Sequence, residues 1–86
     1  MTIPLNTAQK QLVETSMDLV PQMIRSMTRT SAYVSEEEQQ ELCQIGYLAL
    51  CRAAARFDKD RPFLPYARTL IRHAIFDYWR ETARDR

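Results

Sequence analysis

The chain predicts an all-α fold, a compact three- to four-helix bundle, and three observations carry that prediction. Glycine occurs once, at Gly46, and valine only at Val13, Val20 and Val34. Both facts speak against sheets, which draw on β-branched residues and turn glycines. Apolar residues also recur at helical spacing in three separate segments. Finally, 86 residues with 45% hydrophobic and 27% charged content and a formal net charge of +1 suit one small globular domain and are too apolar and too weakly charged for disorder.

The first helical segment places Val13, Met17, Val20, Ile24 and Met27 on one face, at steps of four, three, four and three. Asn6 or Thr7 is a suitable N-cap. Pro21 interrupts the segment while the stripe keeps its phase, which predicts a helix over 7–29 kinked near Pro21. Residues 30–35 read as a loop.

The second segment opens with Ser35 and, three residues later, Glu38, the spacing of a capping box. Glu36, Glu37 and Glu38 occupy its first turn, where the helix dipole favours negative charge; helix-start chemistry accounts for this acidic run without a ligand. Leu42, Ile45, Ala49 and Ala53 share one stripe, with Leu50, Ala54 and Phe57 beside it, so the helix is expected over 36–56. Gly46 lies inside it at a cost of about 1 kcal/mol relative to alanine, which suggests close packing against a neighbour.

A connector follows, and Pro65 suits the first turn of a third helix over 65–82. Ala67, Leu70, Ile71, Ala74, Ile75 and Tyr78 form its core face. A second face carries Thr69, Arg72, His73, Phe76 and Arg80. An isolated exposed ring is unremarkable, but one set between arginines and a histidine suggests a binding face.

Charge is unevenly distributed. Residues 1–42 hold three cations against six acids, a net of −3, and residues 43–86 hold nine cations against five acids, a net of +4. Six of the eight aromatics (Phe57, Phe63, Tyr66, Phe76, Tyr78 and Trp79) lie after residue 56, within the basic half. Arginine interleaved with rings suits single-stranded nucleic acid, with cations on phosphates and rings on bases. A solvated basic face over an aromatic core explains the same charge pattern equally well.

Other function classes find little support. The only histidine is His73, so one chain has no multi-histidine metal site. His73 and Asp77 are spaced to touch on a helix, but no nucleophile completes a triad. No glycine-rich loop cradles a nucleotide. Asp58 and Asp60 lack the glycine and distal glutamate of a calcium loop. Cys43 and Cys51 stand roughly 12 Å apart along one helix, too far for a disulfide or a shared metal, and read as small buried or interfacial hydrophobes. Binding without catalysis, cofactor or metal is the expectation. No apolar run reaches the length of a membrane span, and Met1-Thr2-Ile3-Pro4 does not read as a signal peptide, so a cytoplasmic protein is expected.

The segment Glu41-Leu42-Cys43-Gln44-Ile45-Gly46-Tyr47-Leu48-Ala49-Leu50-Cys51-Arg52-Ala53-Ala54-Ala55-Arg56-Phe57-Asp58 resembles the second conserved region of bacterial sigma factors of the sigma-70 family. The likeness continues through Arg61, Phe63, Tyr66-Ala67 and Ile71-Arg72-x-Ala74-Ile75-x-Asp77, and reaches back to Leu12-Val13 and Leu19-Val20, covering about residues 9–82. It implies a single domain over 1–86 with two binding surfaces. One is the second helix, docking on the clamp helices of the largest subunit of core RNA polymerase through Glu41, Gln44, Ile45, Tyr47, Leu48 and Cys51. Ile45 stands where the family often has glutamate, which removes a charge contact.

The other implied surface meets the promoter minus-ten element on its non-template strand, through Arg61, Phe63, Tyr66, Arg68, Thr69, Arg72, His73, Phe76 and Arg80. Phe63 and Tyr66 match two positions of an aromatic pocket that takes an unstacked adenine. His73 falls where housekeeping members place a base-reading glutamine, and Phe76 lies a turn further on. Thr69 and Leu70 replace a pair of tryptophans that wedge the duplex open, and the connector is about two residues short. The family's fourth region, which reads the upstream promoter element, has no counterpart. The chain is then either an excised second region or a short sigma-like protein with a partner supplying upstream recognition. The resemblance thus implies a transcription-initiation module. Two alternatives remain, a sigma mimic or co-regulator that binds polymerase or a partner protein without specific DNA recognition, and an unrelated helical interaction domain.

Overall fold

A computed structural model describes residues 5–29, 34–57 and 60–84. The expected loop at 30–35 falls, for residues 30–33, outside the described residues, as do Asp58 and Lys59 of the connector and the opening Met1-Thr2-Ile3-Pro4. Four helices follow in order: α1 (Thr7–Ser16), α2 (Leu19–Thr28), α3 (Glu36–Arg56) and α4 (Phe63–Arg84). The fold is all-α, with no strand among the described residues.

Each helix start has a local cause. Asn6 caps α1 reciprocally: the Gln9 backbone N–H donates to Asn6 Oδ1, and the Asn6 backbone N–H donates to Gln9 Oε1, both at 2.8 Å. Ser35 caps α3 by accepting the Glu38 N–H at 3.1 Å, and three glutamates follow in the positive first turn.

The expected single helix with a kink near Pro21 is instead two helices, broken at Met17–Asp18. The break lies four residues before the proline for a steric reason. Pro21 has no N–H for the Met17 carbonyl, and its ring crowds that same carbonyl. The Val20 N–H takes the Met17 oxygen instead, at 3.2 Å, in a tighter three-residue turn. Pro21 is left in the first turn of α2, where its missing N–H goes unneeded. Met17, expected in the apolar stripe, is therefore exposed.

The third expected helix begins at Phe63 rather than Pro65, since Pro65 is tolerated within the first turn as well as at its start. Phe57 leaves the end of α3 in an extended conformation, and its ring meets Phe63 edge to face at 5.2 Å. That pair ties the end of α3 to the start of α4 and contributes about 0.5–1.5 kcal/mol beyond its buried area.

The core is built from Val20 and Ile24 of α2, Leu42, Ala49, Leu50, Ala53 and Ala54 of α3, and Phe63, Ala67, Ile71 and Ile75 of α4. Small residues let the helices approach closely. At Gly46, an added Cβ would lie 2.6 Å from Val20 Cγ1, so hydrogen is the only side chain that the gap between α2 and α3 accepts undisturbed. Ile45, expected on the core stripe of α3, is only half-buried, and Gly46 takes the central place.

Candidate functional site

The core residues of α3 use one side of the helix and leave the other outward. Glu41, Gln44 and Leu48 are exposed along it, and Ile45, Tyr47 and Cys51 flank them half-buried. Leu48 is 40% exposed, a large apolar side chain held in water. Glu41 is tied to α4, because the Tyr78 hydroxyl donates to its carboxylate at 3.0 Å. The Tyr78 phenol is pushed above its ordinary value of 10.0, first by loss of surrounding water and then by the bond to Glu41 and that residue's charge. The pair therefore holds the start of this outer face at a fixed distance from α4.

On α4, Arg68, Thr69, Arg72, His73, Phe76 and Arg80 are all exposed. They share a face because they recur at three- and four-residue steps. The Thr69 hydroxyl is turned onto its own helix, donating to the Pro65 carbonyl at 3.0 Å. Arg80 pairs with Asp77, which partly neutralises that end of the face. Phe76 is 48% exposed and lies 6.0 Å from the Trp79 ring.

At the junction of α3 and α4, Arg56, Phe57, Arg61 and Tyr66 line a cavity of about 170 Å³. Phe63 is not part of it. It is 9% exposed and belongs to the core against Phe57. The structure thus places Phe63, expected from the resemblance at an aromatic pocket, in edge-to-face contact with Phe57 and outside the lining of this cavity. Phe57, read from the sequence as a core residue, supplies a pocket wall instead.

A second cleft, of about 340 Å³, runs between α3 and α4 over the small side chains of Ala49 and Ala74, with Arg52 and Arg56 on one bank and His73 and Asp77 on the other. Sequence reasoning did not single out Arg52, Arg56 and Phe57, which line these two cavities. The signal was present: Arg52 and Arg56 are one turn apart on the side of α3 that the apolar stripe leaves free. Arg56 lines both the cleft and the cavity.

These features place an apolar-centred helix face and an arginine-and-ring surface on one small bundle. The family model for Sigma-70 region 2 matches residues 12–85. The chain belongs to that family. No curated protein and no solved structure matches it. Sigma-70 region 2 is a non-enzymatic transcription-factor domain, and membership supports a sigma-factor-like role in transcription initiation, with RNA polymerase core and promoter DNA as the general partners. No helix of this region 2 domain, among the described residues, is long and apolar enough to cross a membrane.

Proposed function

We propose that the domain docks on core RNA polymerase through the outward face of α3 and holds the promoter minus-ten element, partly single-stranded, on α4. Docking uses Leu48 with Ile45, Tyr47 and Cys51 as the apolar centre and Glu41 and Gln44 as its polar edge, the arrangement expected where a helix is laid on a partner. The clamp helices of the largest subunit are the partner that family resemblance suggests. On this reading the protein works in the cytoplasm.

The observation that carries the DNA reading is the cavity of Arg56, Phe57, Arg61 and Tyr66. Two rings and two arginines around one small opening suit a base drawn out of its stack. Unstacking costs a few kcal/mol. Stacking on an aromatic side chain returns about 1–3 kcal/mol per base, and the guanidiniums add charge contacts to the backbone. Arg52, Arg68 and Arg72 hold phosphates without reading sequence, while His73 and Phe76 face the base edges. Upstream promoter recognition belongs to another protein or another segment.

A second reading keeps polymerase docking and drops DNA recognition. It is favoured by the loss of Phe63 to the core and by Thr69 and Leu70 where the resemblance leads one to expect tryptophans. Anisotropy with a labelled non-template minus-ten oligonucleotide at low salt, run beside co-purification with core polymerase, separates the two. Binding to both supports the first reading. Polymerase capture without strand binding establishes the second, and failure of both overturns the family-based function.

A further inference from the structure

The outward stripe of α3 carries an order of charge that its own helix does not use. Glu37, Glu41, Gln44, Leu48, Arg52 and Ala55 recur at steps of four, three, four, four and three and are all exposed. Arg56, also exposed, lies beside the end of the stripe. Both acids precede Leu48 and both arginines follow it, so the stripe is acidic at one end, apolar at its centre and basic at the other. The helix dipole accounts for Glu37 in the first turn and Arg56 in the last. It does not account for Glu41 and Arg52, which stand a turn or more inside the helix, where that field has faded. Within the helix the order is unfavourable, because Glu37 with Glu41 and Arg52 with Arg56 are like-charge pairs four residues apart.

We propose that this stripe pairs with its counterpart on a second copy of the chain, the two α3 helices running antiparallel about a two-fold axis at Leu48. Reversal about that point sets each acidic half against a basic half. At 1.5 Å rise per residue, Arg52 and Gln44 each stand about 6 Å from Leu48, Arg56 about 12 Å and Glu41 about 10.5 Å. Arg56 of one copy is thus level with Glu41 of the other to within about 1.5 Å, and the contact occurs twice by symmetry. The Tyr78 hydroxyl donates to Glu41 Oε2, which holds that carboxylate in place for an incoming guanidinium. Leu48, 40% exposed, meets itself on the axis, with half-buried Ile45 and Cys51 beside it. A nucleic-acid strand would satisfy only the basic end of this stripe. The helix has 21 residues, about 30 Å of length, so one helix pair buries an area near the lower limit of specific interfaces, about 1,000 Å². The dimer is therefore weak and reversible. It covers Gln44 and Leu48, and on the docking reading above it is a form that does not bind polymerase.

The test is sedimentation equilibrium of the full chain from about 10 μM to about 1 mM, the range of a weak interface. Monomer and dimer are expected in exchange, with the dimer favoured at low salt. Glu41→Arg alone and Arg56→Glu alone should each weaken the dimer about tenfold, because each turns both symmetry-related contacts into like-charge pairs. An equimolar mixture of the two variants should restore it, since in the mixed dimer every cation again faces a carboxylate. Leu48→Glu should abolish it by placing two carboxylates on the axis. If Glu41→Arg releases Tyr78 and the chain unfolds, dilution of the wild type decides instead. It should move the amide NMR signals of Gln44, Leu48 and Arg52 and leave those of Met23 and Met27, which lie on α2.

A monomer throughout that range overturns the proposal, as does a dimer indifferent to salt and to the folded variants. Association beyond the dimer overturns it too, because a two-fold pair closes on itself. So does a mixture of folded variants that stays monomeric, since Glu41 and Arg56 then do not meet across copies. Dimerisation without capture of core polymerase leaves the pairing of α3 standing and refutes only the docking reading, whereas capture without dimerisation refutes the pairing alone.

Discussion

Gly46→Ala tests the packing on which both surfaces depend. Alanine removes the penalty of a mid-helix glycine, a gain of about 1 kcal/mol. Against this, the new Cβ would lie 2.6 Å from Val20 Cγ1 and 3.7 Å from both Ile24 Cδ1 and Ile71 Cγ2. Carbon atoms settle at about 3.5–4.0 Å, so only the Val20 contact is at fault, by about 1 Å. Val20 is fully buried, and a valine in a helix has one strongly preferred rotamer. Relief must therefore come from α2 moving off α3, and overpacking of this kind costs about 1–3 kcal/mol. The net expectation is a loss near 1 kcal/mol, equivalent to a fall in Tm of about 4–8 °C for a domain of this size. Urea denaturation followed by circular dichroism measures it. The Val20→Ala change should cost about 1 kcal/mol less in the Gly46→Ala background than in the wild type. A Gly46→Ala protein that gains stability, with strictly additive behaviour in the double variant, would refute the close approach of α2 and α3.

Three further outcomes follow from the geometry. Phe63→Ala should lower stability by about 3–5 kcal/mol, whereas Tyr66→Ala, at a half-buried position beside the core, should lower it less and cost about 1–3 kcal/mol in oligonucleotide affinity; the reverse pattern in the two assays would exchange their assignments. Leu48→Glu, at an exposed position, should shift stability by no more than about 0.5 kcal/mol while sharply reducing capture of core polymerase, and normal capture would move the docking face elsewhere. Because the folded state holds the Tyr78 phenol above its ordinary 10.0, the associated stability is complete below that pH and is lost as pH rises through the folded value. Wild-type stability should then fall more steeply above pH 10 than that of Tyr78→Phe, and parallel pH profiles would show that the hydroxyl contributes nothing.

What the chain's own pattern determined was local. One glycine, three apolar stripes, Ser35 with its following glutamates and the outward arginines of α4 specify helices and their faces, because those features act through neighbours within a turn or two. The all-α class was therefore legible from residue spacing, and so was the outward face of Arg72, His73 and Phe76; the Sigma-70 region 2 family was legible from the resemblance of residues 41–58 and the motifs that follow. Tertiary structure decided matters that depend on contact between distant residues. Phe57 and Phe63 both read as apolar positions near a connector, and only their edge-to-face packing sends Phe63 into the core and makes Phe57 a cavity wall. Pro21 announced a disturbance, but its effect appears four residues earlier, at the carbonyl its ring displaces. Arg52 and Arg56 line a cleft only because α4 lies across the small alanines beside them. Spacing along a helix says which side a residue faces; what stands on that side is set by the energy of packing against the rest of the chain.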